Sequence, residues 1–69
     1  MDSKDKERFA VNITEEWERR GMTMTRLSAI SGVSVDTLRA IKSGETRPTE
    51  ATCVKLCHAL NVRPMEMIR

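Results

Sequence analysis

Apolar residues recur along this chain at the spacings of three and four residues that place side chains on one face of an α-helix. Near the N-terminus, Phe9, Ile13 and Trp17 follow one another at i, i+4 and i+8. No β-rich run interrupts the pattern, and residues that favour helices are frequent. A second apolar run near the C-terminus consists of Cys53, Leu56, Cys57 and Leu60. The pattern therefore predicts an all-α protein.

Cap and stop residues predict a short helix over residues 24–31. The hydroxyl of Thr23 can accept a hydrogen bond from a backbone N–H of the first turn and so begin this helix. Leu27 and Ile30 supply its inward side. Gly32 can adopt the left-handed conformation that ends a helix.

A second short helix is predicted over residues 35–43. Ser34 is positioned to cap it, Leu38 and Ile41 form its buried pair, and Gly44 ends it. Three residues join it to the helix before, which is too short a connection for two helices lying side by side. The second helix must leave at a steep angle, as in a helix-turn-helix.

The last two helices follow from the same kinds of signal. Thr49 caps the helix that carries the second apolar run, and Asn61 is a suitable left-handed residue to end it. Pro64 fits the first position of a final short helix, in which Met67 and Ile68 pack inward. The sequence thus predicts a compact bundle of five helices.

The chain is short enough for one domain only. A fold of 69 residues buries only about 60% of its unfolded surface, so it depends on good packing or on a partner chain. We expect a single domain over residues 1–69, with residues 1–5 frayed. The charged start MDSKDKER does not resemble a signal peptide, and no apolar run approaches the ~20 residues of a membrane span. These features predict a cytoplasmic protein with no membrane contact and with reduced cysteines.

The net charge of +2 is small, but it is unevenly distributed. Residues 1–25 contain five basic and six acidic side chains, whereas residues 26–69 contain seven basic and four acidic ones. A surface that binds a polyanion should therefore lie in the second part of the chain. A mixed, solvated surface without a partner explains the same charges equally well.

The segment TRLSAISGVSVDTLRAIKSGETRP, which ends at Pro48, resembles the helix-turn-helix of the phage repressor and Cro family, also called the XRE family. The likeness continues through TEATCVKLCHALNV and PMEMI, so it covers the chain from about residue 9 onward. It implies a lambda repressor-like bundle whose third helix enters the major groove of double-stranded DNA, commonly as a homodimer on a two-fold symmetric site.

Carried over position by position, the resemblance implies two groups of DNA contacts. The base-reading positions are Val35, Asp36, Arg39 and Ala40. The phosphate contacts, which include the backbone N–H groups at the start of the second helix, are Thr23, Met24, Thr25, Arg26, Thr37, Lys42, Ser43 and Arg47. Arg39 is the one good major-groove reader and suits guanine O6 and N7.

The chain departs from the family pattern at three positions. Met24 stands where the family often has a glutamine side chain that grips a phosphate. Lys42 and Trp17 replace a Glu–Arg ion pair, so either a cation–π contact with Trp17 or a link from Lys42 to a glutamate of the first helix takes its place.

Asp36 could accept a hydrogen bond from cytosine N4, but its role in the first turn of a helix is the more ordinary interpretation.

No other residues predict a chemical site. Cys53 and Cys57 share a helical face, but His58 points away and no second cluster completes a metal site, so buried apolar thiols are the better interpretation. The spacing of Phe9 and Trp17 favours the core over stacking on bases. We expect no metal, no cofactor, no small-molecule ligand, no cleft of ligand size and no enzymatic activity.

The sequence thus predicts a sequence-specific DNA-binding transcriptional regulator, most simply a repressor that occludes a promoter. The alternative is a protein-interaction module on the same fold, such as an antitoxin-like or accessory subunit, and the low net charge favours it. Near the C-terminus, four apolar residues either form a homodimer patch or close the core of the monomer: Val62, Met65, Met67 and Ile68.

Overall fold

The computed structural model describes residues 1–69 as five helices without a β-strand. The helices are α1 (Ser3–Arg19), α2 (Met24–Ser31), α3 (Val35–Ser43), α4 (Glu50–Leu60) and α5 (Pro64–Met67). The predicted all-α bundle with a helix-turn-helix is confirmed. None of the helices combines the length and the apolar character needed to cross a membrane.

The structure begins α1 at Ser3, whereas the sequence predicts a frayed end over residues 1–5. The Asp2 carboxylate caps the helix by accepting a hydrogen bond from the backbone N–H of Asp5 at 2.8 Å. The amino group of Met1 lies 2.9 Å from the Glu50 carboxylate, at the start of α4. Polar contacts of Met1 and Asp2 therefore accompany the first turn of α1.

The expected caps and stops define the three middle helices. Three hydroxyl groups accept a hydrogen bond from the backbone N–H three residues later: Thr23, Ser34 and Thr49. Three residues with a left-handed backbone end these helices: Gly32, Gly44 and Asn61. The observed bounds confirm the predicted ranges 24–31 and 35–43. The prediction succeeds because local sequence determines both ends of each helix.

The corner between α2 and α3 is fixed by a left-handed glycine and a buried valine. Gly32 has a φ of 76° and a ψ of 9°. Val33 is only 5% exposed, and its N–H donates to the Ser31 hydroxyl at 3.1 Å. The turn is therefore anchored in the core, and α3 leaves it in one direction only.

Four helices and the corner bury one apolar cluster, and α5 closes it. The cluster consists of Phe9, Ala10, Ile13, Trp17, Leu27, Val33, Leu38, Ile41, Cys53, Leu56, Cys57, Leu60 and Met67. The prediction that Ile30 faces inward is wrong, because Ile30 is 48% exposed. Residues three apart are rotated by about 60°, so Met24 and Ile30 lie on opposite sides of Leu27. The short α2 turns the Met24 side toward the core.

The C-terminal apolar residues mostly close the core of the monomer. Met67 is 8% exposed, and Val62 and Ile68 are partly buried against the core. The Asn12 side chain on α1 holds this end by donating to the Met67 carbonyl oxygen at 2.8 Å. Met65 alone among the four points outward, with 77% exposure.

Replacement of Gly32 tests the left-handed corner. A Cβ built at Gly32 meets no atom within 4 Å, so the cost of a side chain is purely a backbone cost. We expect Gly32→Ala to lower the free energy of unfolding by about 1–2 kcal/mol, and Gly32→Asn to cost less because asparagine tolerates this conformation. Urea unfolding followed by far-UV circular dichroism measures both. Equal stability of the alanine variant and the parent protein would contradict the strained corner.

Candidate nucleic-acid interface

One side of α3 faces solvent, opposite to the buried pair Leu38 and Ile41. Successive residues of a helix are rotated by about 100°, which decides which residues lie on that side. The outward stripe of α3 consists of Asp36, Arg39, Ala40 and Ser43. Ala40 is half-buried and the other three are exposed. The stripe thus presents one acid, one base and two small residues over two turns of the helix.

The flanks of α3 carry the remaining residues assigned to this helix. Val35, half-buried, and Lys42, exposed, lie on one flank, and Thr37, half-buried, lies on the other. The Thr37 hydroxyl accepts a hydrogen bond from the Ser34 hydroxyl at 2.9 Å. On the outward stripe, the Ser43 hydroxyl donates to the Ala40 carbonyl at 3.1 Å. The Thr37 proton is therefore free to meet a phosphate, whereas the Ser43 proton is already used.

The start of α2 offers a second group of hydrogen-bond donors. Thr23 accepts from the Arg26 N–H at 3.1 Å, while the backbone N–H groups of Met24 and Thr25 have no partner within the chain. The Arg26 side chain is exposed and forms no ion pair. Two free N–H groups, the positive end of the helix dipole and one unpaired guanidinium together can hold an anion.

The other cations of the candidate interface are all paired with carboxylates. On the outward stripe, Arg39 Nη1 lies 3.4 Å from Asp36 Oδ1. Lys42 Nζ lies 2.6 Å from Glu18 Oε2 on α1. The Arg47 guanidinium, in the loop after α3, pairs with the Glu7 carboxylate on α1. Each of these side chains is about half exposed or more, so each pair is open to water and exchangeable.

The Lys42–Glu18 contact decides between the two alternatives left open by the sequence. Trp17 is 1% exposed and belongs to the core, so a cation–π contact with Lys42 is wrong. The ion pair between α1 and α3 exists here with its charges exchanged, because the acid lies on α1 and the base on α3.

Sequence reasoning pointed only to some glutamate of α1 as the partner of Lys42. Glu7 was missed altogether as the partner of Arg47. The two residues are 40 positions apart, and neither local periodicity nor a motif connects residues at that separation.

A cleft of about 960 Å³ lies between α1, the end of α3 and the following loop. The expectation of no cleft of ligand size is therefore wrong. Only three apolar residues contribute to its lining: Ala10, Val11 and Ile41. Long paired side chains, rather than packed apolar ones, bridge α1 and the loop, and such bridges leave space between them. Apart from Gly44, the remaining lining is charged or polar.

The two thiols belong to the core. Cys53 and Cys57 are 1% and 2% exposed, and both are free. Burial, with a smaller contribution from the neighbouring Cys57, raises the pKa of the Cys53 thiol to about 11. Burial also raises the pKa of Cys57. His58 is exposed, on a different side of α4. No three Cys, His, Asp or Glu side chains converge as a metal site would require.

The raised pKa values predict protected thiols. A thiol titrates near pH 8.5 when it is unfolded, and only the thiolate reacts. At pH 8 we expect the folded protein to react with a disulfide reagent at least about a hundredfold more slowly than the urea-unfolded chain, since both burial and the low thiolate fraction oppose the reaction. Absorbance of the released thiolate measures both rates. Equal rates would show that α4 does not bury these residues.

Comparison with protein-family models matches residues 15–67 to the family described as Helix-turn-helix, of the XRE type. The match covers well over half of the chain and includes the whole of α2, α3 and α4. Residues 9–14, to which the sequence resemblance also extended, lie outside it. Searches of curated proteins and of solved structures find no match. The chain therefore belongs to the XRE family of helix-turn-helix domains, a family of DNA-binding regulators.

Proposed function

We propose that this protein is a sequence-specific regulator of transcription that inserts α3 into the major groove of an operator. The observation that carries the proposal is the outward stripe of α3, which an anchored corner holds in solvent. A major groove about 12 Å wide admits one α-helix. Promoter occlusion is the simplest consequence of such binding, so repression is the mechanism that we assign.

The roles in base reading follow from side-chain chemistry. Arg39 has five donors in a planar fork and suits guanine O6 and N7. Ala40, on the same stripe, and Val35, on its flank, offer apolar contacts to a thymine methyl group. Asp36 can accept from an exocyclic amino group of cytosine. Four positions on about one and a half turns of helix are enough to read a short half-site.

The phosphate contacts are proposed at both ends of the helix-turn-helix. The free N–H groups of Met24 and Thr25 suit one phosphate, and the unpaired Arg26 suits the same strand. Lys42 and Arg47 reach phosphates by leaving their carboxylate partners on α1. Three smaller contributions complete the set: the hydroxyl groups of Thr23 and Thr37, and that of Ser43 once its proton leaves the Ala40 carbonyl oxygen.

We propose a homodimer on a two-fold symmetric operator as the binding species. A single α3 reads few base pairs, and a dimer doubles the contacts with DNA. Of the C-terminal apolar patch, Met65 remains available for self-association, since its 77% exposure leaves it outside the core. The location that this function requires is the cytoplasm, where bacterial or phage operators lie.

One observation favours the alternative, a protein-interaction module with weak DNA binding. Three of the four cations near α3 are neutralised by carboxylates of the chain itself: Arg39, Lys42 and Arg47. Such pairing lowers the positive potential that attracts DNA. An antitoxin-like or accessory subunit would use the same charged surface to bind another protein.

A salt titration distinguishes the two functions. Three cations are proposed to meet phosphates, and each phosphate contact contributes about −0.9 to the slope of log K against log salt concentration. We therefore expect a slope of about −2 to −3 per subunit for labelled duplex DNA. Lys42→Ala should reduce the slope by about 1, and Lys55→Ala, which removes an exposed lysine of α4, should leave it unchanged. Absence of binding at low salt would favour the interaction module.

Replacement of Arg39 tests base reading. Sites selected by the protein from a random duplex pool define the operator and its symmetry. We expect Arg39→Ala to weaken binding to the selected site by about 1–3 kcal/mol and to relax the preference at one guanine. The matched control is Arg63→Ala, which removes an exposed arginine where α5 begins. An unchanged base preference in the Arg39 variant removes this residue from the reading role.

A further inference from the structure

We infer that Asp36 and Arg39 act as one reading unit, in which Asp36 determines base preference beside the guanine that Arg39 contacts. The inference rests on the proposed function and deepens it. It names the sequence class that the outward stripe selects: a guanine for Arg39 next to a base that offers an amino group to Asp36. The two residues lie three apart on α3, both on the outward stripe, with Arg39 Nη1 and Asp36 Oδ1 separated by 3.4 Å.

The structure needs Asp36 only in part for its ordinary role, the stabilisation of the first turn of α3. Ser34 already caps α3 by accepting from the Thr37 N–H at 3.1 Å. The Asp36 carboxylate accepts no backbone hydrogen bond, and its one partner is Arg39. The Asp36 side chain is 95% exposed, so no packing holds it either. What remains of the structural role is a favourable interaction of one charge with the helix dipole.

The contact has a direct consequence for Arg39. An unpaired arginine side chain of 68% exposure would sample many rotamers, and ordering it on a base would cost conformational entropy. The Asp36 carboxylate holds one nitrogen of the guanidinium beside α3. The planar fork leaves other donors to reach guanine O6 and N7 at the same time. Asp36 therefore favours this position of Arg39 before DNA arrives, although the pair still exchanges with water.

The second carboxylate oxygen of Asp36 supplies a preference of its own. An ionised carboxylate only accepts hydrogen bonds. In the major groove, cytosine N4 and adenine N6 donate, whereas guanine O6 and thymine O4 accept. Next to Arg39, Asp36 therefore favours a base with an amino group and repels one with a carbonyl oxygen. Its negative charge also opposes the phosphates, so the unit gains selectivity and loses affinity for DNA in general.

Asp36→Ala is the test, and Glu45→Ala is its matched control. Both variants remove one exposed acid, but Glu45 lies in the loop after α3 and forms no ion pair. Five proteins are compared: the parent protein, Asp36→Ala, Glu45→Ala, Arg39→Ala and the Asp36–Arg39 double alanine variant. For each protein, competition binding measures the relative affinity for duplexes that carry each of the four bases at every position of the selected site. Binding to unrelated duplex DNA and urea unfolding are measured on the same five proteins.

We expect Asp36→Ala to bind unrelated DNA severalfold more tightly while its discrimination falls about tenfold at the Arg39 guanine and at the adjacent position. Glu45→Ala should keep the discrimination of the parent protein. In the Arg39→Ala background, removal of Asp36 should cause no further loss at the guanine, because the unit is already broken.

Two results overturn the inference, and they differ in whether the proposed function survives. If Arg39→Ala relaxes the motif but Asp36→Ala keeps full discrimination, Asp36 serves only the helix, and the proposed function survives. If the parent protein selects no motif, the proposed function fails, and the reading unit fails with it.

Discussion

The left-handed turn at Gly32 determines the direction in which α3 leaves α2, and the candidate interface depends on that direction. Val33 anchors the turn in the core, and Leu38 and Ile41 anchor the inner side of α3. Because the turn and the inner side of this nine-residue helix are both buried, the opposite side of α3 has no freedom to turn inward. The outward stripe is therefore a consequence of packing elsewhere, which leaves its residues free to differ in chemistry without loss of fold.

Electrostatics at this interface is largely internal to the chain. The carboxylates of Asp36, Glu18 and Glu7 each hold a cation that is proposed to meet DNA. Exposed pairs of this kind contribute at most about 1 kcal/mol to stability and exchange readily with other anions. Their larger effect is on binding, since Lys42 and Arg47 must each leave a carboxylate before they meet a phosphate. Selectivity over unrelated DNA is expected to increase at the cost of affinity.

The pairs with α1 also connect the first helix to the interface. Glu18 and Glu7 reach the end of α3 and the loop after it, across an open, polar cleft. These side chains take the place of apolar packing at this edge of the bundle. The α3–α4 loop is thus held both by exposed ion pairs and by the buried Pro48, whereas the corner before α3 is held by the buried Val33.

Local sequence determined where α2 and α3 begin and end, because Thr23, Gly32, Ser34 and Gly44 act on neighbouring backbone groups. The two apolar stripes and the family likewise followed from spacing and motif. Tertiary structure decided what depends on distant partners. Ile30 is exposed because packing turned the Met24 side of α2 toward the core, the amino group of Met1 reaches Glu50 on α4, and Arg47 pairs with a residue 40 positions away. Periodicity describes one helix at a time, and it carries no information on which charged ends meet.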